Sequence, residues 1–199
     1  MEEKQVVLCR EDFQDFTIGE FPFDPEHTAT GEYHYIVQEG YHGNWVDQVC
    51  NYTWNGTGPS WIITEQDGVH YMESMRIEKN RPHRMFPTLE TGSRKWQNYR
   101  LSVKMQRLSC KGMAGLAFCM NDSIDTLVFA LRDKTTAELH YRHKEEVILL
   151  ASASFEQDSD TLYELAVDIN GNQVDCYIDG KQLLHAETEL ANLSAPFRK

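Results

Sequence analysis

The sequence predicts an all-β chain folded as a two-sheet antiparallel sandwich, and three observations carry that expectation. Residues 96–106 alternate apolar and polar positions (Tyr99, Leu101, Val103 and Met105 against Arg100, Ser102 and Lys104), and the same period of two returns at Tyr163, Leu165, Val167 and Ile169 and at Val174, Cys176 and Ile178. That period marks a strand with one face on a core and one in water. The last two runs are separated by Asn170-Gly171-Asn172, and Asp179-Gly180-Lys181 follows the second; Asn, Asp and Gly tolerate the positive φ that tight hairpins need. Finally, short apolar runs with turn formers between them recur from 113 to 153 without a helical period.

In chain order, the first half offers strand candidates at Val6 to Cys9, Glu32 to Gln38, Trp61 to Thr64 and Val69 to Arg76. Between them lies an aromatic stretch, residues 41–61, with turn formers at both ends and no clean period. Loops of that length usually carry function or are disordered, and this one is too aromatic for disorder. In the second half, Met113 to Met120 is continuously apolar, which predicts burial on both faces or very tight packing. Asn121 to Asp125 reads as a turn into Thr126 to Arg132; Asp133 to Thr136 turns into Glu138 to His143; Val147 to Ala153 follows.

A chain of 199 residues, 41% of them hydrophobic, is long enough for one sizeable core, and we expect a single domain over residues 1–199. No repeat or low-complexity linker divides it. The formal charge of −12 argues against nucleic acid or an anionic membrane as the main partner, since both need a broad basic face. The N-terminus lacks a basic region followed by an apolar core, and no apolar run reaches the roughly 18 residues of a membrane span. Cys9, Cys50, Cys110, Cys119 and Cys176 include no CxxC pair, and Cys119 and Cys176 sit in apolar strand patterns as small hydrophobes. Together these features place the expected location in the reducing cytoplasm.

The order Thr91-Gly92, Trp96, Tyr99, an alternating strand, Gly115-Leu116-Ala117-Phe118, Leu162 to Val167, then Asn170-Gly171 and Tyr177-Ile178-Asp179-Gly180 resembles the concanavalin A-like, laminin-G-like jelly roll of many carbohydrate-binding and polysaccharide-processing proteins. The resemblance covers residues 91–189, about half of the chain, and rests on packing and turn positions. It specifies a fold and leaves the activity to the sites grafted on it. Such domains usually close the sandwich with a further strand after the Asp-Gly hairpin, beside the first strand. Residues 190–199 supply neither its glycine nor its length, so a jelly roll lacking that strand is expected: either the sequence stops short of it, or another segment, domain or chain supplies it, a second copy or a partner strand filling the open edge.

Three constellations could carry chemistry. In the aromatic loop, Trp45, Trp54 and Trp61 stand among His42, Asn44, Asp47 and Asn51. Indole rings stack on the apolar C–H faces of sugars while amides and carboxylates meet the hydroxyls; the same rings would equally serve to cap a core. A basic cluster, Arg76, Lys79, Arg81, His83 and Arg84, would suit the carboxylate of an acidic sugar, or form a solvated turn around Pro82. On the strand at 138–143, alternation puts His140 and Arg142 on one face and Tyr141 and His143 on the other. If the concave face of the sheet holds the site, either pair could act, and a His general base with a Tyr acid could support β-elimination from a uronate; His140 and Tyr141 are the catalytic candidates.

The Glu-x-Asp-x-x-Glu strand of jelly-roll retaining glycosidases is absent, and Glu73-Ser-Met-Arg76 and Glu138-Leu-His140 only faintly resemble the Arg-x-Glu-x-Arg and Gln-x-His strands of alginate-lyase jelly rolls. No GxGxxG, P-loop, HExxH or GxSxG motif occurs, which speaks against nucleotide, zinc-peptidase and serine-hydrolase chemistry. No cofactor is expected. His42 with Asp47, or Asp122 with Asp125, offer ligands for a metal, a structural Ca²⁺ included, but the second pair reads equally as an Asx turn. The leading expectation is a carbohydrate-recognising domain; the alternatives are a glycoside hydrolase or polysaccharide lyase on small oligosaccharides, and a subunit completed by a partner strand.

Overall fold

The computed structural model describes residues 6–20, 45–47, 61–74, 88–93, 95–109, 112–122, 125–143 and 146–192. Among these residues the regular structure is antiparallel strand, apart from one 3-10 turn at Glu189–Asn192, and the chain divides into two compact units, residues 1–93 and 94–199. The candidate strand Glu32 to Gln38 lies outside the described residues.

In the first unit, β1 (Gly19–Glu20), β3 (Trp61–Gln66) and β4 (Val69–Ser74) form one sheet in the order β1-β3-β4, and β2 (Val46–Asp47) pairs with β5 (Leu89–Glu90). The β3–β4 hairpin closes at Asp67-Gly68, both at positive φ (54° and 77°), as a type I′ turn requires. Phe16 and Ile63 are buried at the centre, with Phe13, Trp45, Trp61, Met72 and Leu89 packed around them. The expected strand Val6 to Cys9 does not form: among the described residues the segment has no sheet partner, and Val6 and Val7 are 74% and 73% exposed. Apolar β-branched residues give strand propensity, but without a sheet edge to meet, propensity alone does not make a strand.

The second unit is the sandwich. One sheet takes β7 (Ala114–Asp122), β8 (Asp125–Leu131), β9 (Thr136–His143) and β10 (Glu146–Ser154) in the order β10-β9-β8-β7. The other takes β6 (Arg100–Gln106), β11 (Leu162–Asn170), β12 (Gln173–Ile178) and β13 (Lys181–Glu187) in the order β13-β12-β11-β6. Alternation sends Leu127, Phe129 and Leu139 from the first sheet and Val167, Val174 and Cys176 from the second into one core. Each such side chain contributes about 1.5–3 kcal/mol by leaving water. Burial and the neighbouring Asp175 push the Cys176 thiol up to about 12, so it behaves as a small hydrophobe.

Both hairpin signals act as read. Gly171 takes φ 61° between β11 and β12, and Asp179 and Gly180 take 49° and 75° between β12 and β13. The Asp179 carboxylate also accepts from the Glu164 backbone N–H at 2.9 Å, tying this turn to β11. Of the two expectations for residues 113–120, tight packing is the one met: Met113 and Gly115 are exposed, so the run is not buried on both faces, while a Cβ on Gly115 would overlap the Phe129 carbonyl oxygen of β8. After β13 the chain makes its 3-10 turn, with Ala191 in the core and its carbonyl 3.5 Å from Cys119 Sγ. Among the described residues β13 has β12 as its one strand neighbour.

Candidate functional site

Strand β9 carries the run Glu138-Leu-His-Tyr-Arg-His143, and its period of two separates two chemistries. Leu139 and Tyr141 turn to the sandwich core. Glu138, His140 and Arg142 turn the other way, onto the outer face of the sheet. Register sets His140 between Val128 of β8 and Leu149 of β10, Arg142 between Thr126 and Val147, and Glu138 between Ala130 and Ser152. The outer positions of β7 opposite β8 are Gly115 and Ala117, so this side of the face is low and smooth.

These outer-face polar residues are buried: His140 is 2% exposed, and Thr126, Glu138 and Arg142 also count among the buried polar residues. A charge out of water is costly unless paired. Glu138 meets that cost with Arg132, whose Nη1 donates to Oε1 at 2.6 Å; the arginine stays exposed while the carboxylate is enclosed. Glu138 holds the Arg132 guanidinium firmly protonated. Burial lowers the Arg142 pKa, yet guanidinium basicity leaves it charged. Burial likewise pulls His140 below its ordinary 6.5, opposed by the Glu138 charge and assisted by Arg142 and Arg132, so the ring is neutral at physiological pH. His140 Nδ1 is buried and has no hydrogen-bond partner. A buried unpaired ring nitrogen costs about 1–3 kcal/mol.

Above this row lies a hollow of about 480 Å³ lined by Gly112, Met113, Arg132, Glu138, His140, Val147 and Leu149. Its walls are positioned from behind by Arg107, a buried side chain at the end of β6. Arg107 Nη1 donates to the Asp133 carbonyl at 2.8 Å and Nη2 to the carbonyls of Gly112 and Arg132, so one guanidinium holds both backbone segments that frame the hollow. Gln157 Nε2 donates to the same Asp133 carbonyl. Asp133 in turn accepts from the Thr135 N–H at 2.8 Å, an Asx turn that begins β9.

On the core-facing side, at the open end of β8 and β9, Tyr141 donates to Asp125 Oδ1 at 2.5 Å, and its oxygen accepts from His143 Nδ1 at 3.1 Å. The two rings stack with centroids 5.8 Å apart, and His143 Nδ1 lies 3.7 Å from Asp125 Oδ2. Asp125, a candidate metal ligand by sequence, is thus engaged by a phenol; among the described residues no group of three or more His, Cys, Asp or Glu could hold a metal ion.

The remaining sequence candidates fall as follows. His140 and Tyr141 point to opposite faces, as their alternation along the strand predicts, and the phenol's imidazole neighbour is His143. Trp45 packs its ring 5.6 Å from Phe13 and its Nε1 donates to Glu11 Oε2 at 3.4 Å, while Trp61 is half-buried with an unpartnered, buried Nε1. Both rings pack on the Phe16–Ile63 cluster, the core-capping alternative for these residues. The backbone of Asp47 pairs with Leu89 in β2 and β5. His42, Asn44, Asn51, Trp54, Arg76, Arg81, His83 and Arg84 lie outside the described residues. Sequence reading missed Arg107, Arg132, Val147 and Leu149; a paired reading of β9 against β10 would have found the last two, whereas nothing local marks Arg107.

No protein-family model matches the chain, and no curated protein sequence matches it either. Among solved structures, carbohydrate binding module CBM66 from Bacillus subtilis is similar at a TM-score of 0.43 with 12% sequence identity, over 46% of this chain and 60% of that one. Among the described residues no helix is long and apolar enough to cross a membrane.

Proposed function

We propose that this chain is a carbohydrate-recognising β-sandwich whose ligand lies on the outer face of the β7–β10 sheet, in the hollow above His140. The observation that carries the reading is the buried Nδ1 of His140, unpartnered beside a carboxylate and a guanidinium, on a surface whose other walls are exposed apolar side chains. A sugar answers both halves of that surface. Its hydroxyls donate and accept where the ring nitrogen lacks a partner, and its C–H face covers Val147 and Leu149, which are 60% and 55% exposed. A glycan array read with the intact chain, followed by calorimetric titration of the hits, tests it. His140→Leu should abolish binding while the chain still folds; undiminished binding by that variant would remove the site from this face.

A second reading, a polysaccharide lyase, draws on Asp125, Tyr141 and His143. The hydrogen-bonded phenol and imidazole are the groups that proton abstraction and leaving-group protonation need. Incubation with oligouronates and detection of unsaturated product decides it: turnover lost in Tyr141→Phe supports catalysis, and no turnover leaves recognition alone.

A further inference from the structure

We propose that the sugar taken by this hollow is uncharged, a neutral oligosaccharide read by the Arg132–Glu138 pair together with His140. The inference rests on the carbohydrate reading above and narrows its ligand class. Among the described residues three ionisable side chains line the hollow, and Arg132 and Glu138 balance each other across 2.6 Å. The third, His140, is a buried imidazole whose Nδ1 has no partner and which carries no charge. Arg142 stands two residues along β9, outside the lining.

A uronate brought here would place its carboxylate beside Glu138, and it would have to compete with Glu138 for the Arg132 fork, one arm of which is already engaged. Like charges at that range in a partly desolvated site oppose binding. A neutral sugar meets no such conflict. One hydroxyl can donate to Glu138, a neighbouring one can accept from Arg132, and a third can pair with His140 Nδ1 in whichever tautomer suits it. Hydrogen bonds to charged partners are the stronger kind, so the pair reads hydroxyls better than two neutral side chains would. The apolar share of the lining, Met113, Val147 and Leu149, suits the C–H face of an unmodified ring, and about 480 Å³ lies within the range of small-ligand sites.

Calorimetric titration of the intact chain with xylo-, cello- and fructo-oligosaccharides, against oligogalacturonates and oligoglucuronates of matched length, tests the inference. The best neutral ligand should bind at least about tenfold tighter than the best uronate, the equivalent of one charge-assisted hydrogen bond. In Glu138→Gln the guanidinium loses its counter-charge: neutral binding should weaken about tenfold and the uronate should overtake it. Arg132→Gln, at an exposed side chain that does not threaten folding, should weaken neutral binding with no gain for uronates. Tighter uronate binding by the wild type, or by Arg132→Gln, overturns the inference and leaves carbohydrate recognition standing. Absence of binding by every sugar of both kinds overturns the underlying reading and this one with it. Thermal melts of each variant establish folding, and should Glu138→Gln fail to fold, the wild-type preference and Arg132→Gln decide.

Discussion

The two faces of the β7–β10 sheet are built from alternate residues of the same strands, and both are buried at their centre, yet they bury opposite kinds of side chain. The inner face holds Leu127, Phe129 and Leu139 at 1% exposure or less; the outer holds Thr126, Glu138, His140 and Arg142. Packing alone explains the first: apolar area leaves water and the chain is stabilised. It does not explain the second, because a buried ion pair is often no better than a hydrophobic replacement and an unpaired ring nitrogen is worse. The difference teaches where to look for function in a sandwich whose strands are otherwise uniform. Residues that a stable core would have made apolar, and did not, belong to the face that meets something else.

Substitutions on the two faces should therefore separate stability from binding. The largest effect belongs to the inner face: Phe129→Ala should cost about 3–5 kcal/mol in denaturant unfolding, by lost transfer energy and the cavity left behind. A cost under about 1 kcal/mol would mean that the two sheets do not share the core described. Next comes Arg107→Leu, which strips the guanidinium from the Asp133, Gly112 and Arg132 carbonyls and should cost about 2–3 kcal/mol. It should also weaken sugar binding at a position that touches no sugar, because it releases the frame of the hollow. Tyr141→Phe, at the partly buried end of the inner face, should cost about 1 kcal/mol and leave binding unchanged.

The smallest effect is a pH dependence confined to the outer face. Burial holds the His140 pKa in the folded chain below its ordinary 6.5. Well above pH 6.5 the ring is neutral folded and unfolded, so it adds no slope. As pH falls through that value the unfolded chain takes up a proton that the folded one refuses, and stability declines until the folded ring protonates as well. Stability measured from pH 7.5 down to 5 should thus fall more steeply in the wild type than in His140→Leu. Parallel curves would show that His140 is not held neutral by burial. At pH 7.5 His140→Leu should be as stable as the wild type or more so, since an unpaired buried nitrogen is replaced by an apolar group of similar size.

Much of the sandwich was legible in the sequence, for a physical reason: hairpins and half-buried strands are local, so Asp179-Gly180 or the alternation of Leu165, Val167 and Ile169 can be read without knowing what they touch. The β9 face division, His140 with Arg142 against Tyr141 with His143, was legible on the same ground. The pairing of strands is not local, and it is what converts a row into a site. Leu149 reaches His140 only through the β9–β10 register, and Arg107 reaches Gly112 and Arg132 from the end of a strand in the other sheet. Trp45 and Trp61 illustrate the converse. Their composition suits a glycan platform, whereas their surroundings, Phe13, Phe16 and Ile63, make them packing residues of the first unit. Val6 to Cys9 failed as a strand because propensity is not enough without a sheet partner, and among the described residues it has none.

The most direct test of the central claim is a calorimetric titration of one neutral oligosaccharide hit into three forms of the intact chain: wild type, His140→Leu and Trp45→Ala. The account predicts that binding survives Trp45→Ala, as long as that variant stays folded, and disappears in His140→Leu with stability intact. Binding that persists in His140→Leu and is lost in a folded Trp45→Ala would contradict it, and would move the site from the β7–β10 sheet to the first unit.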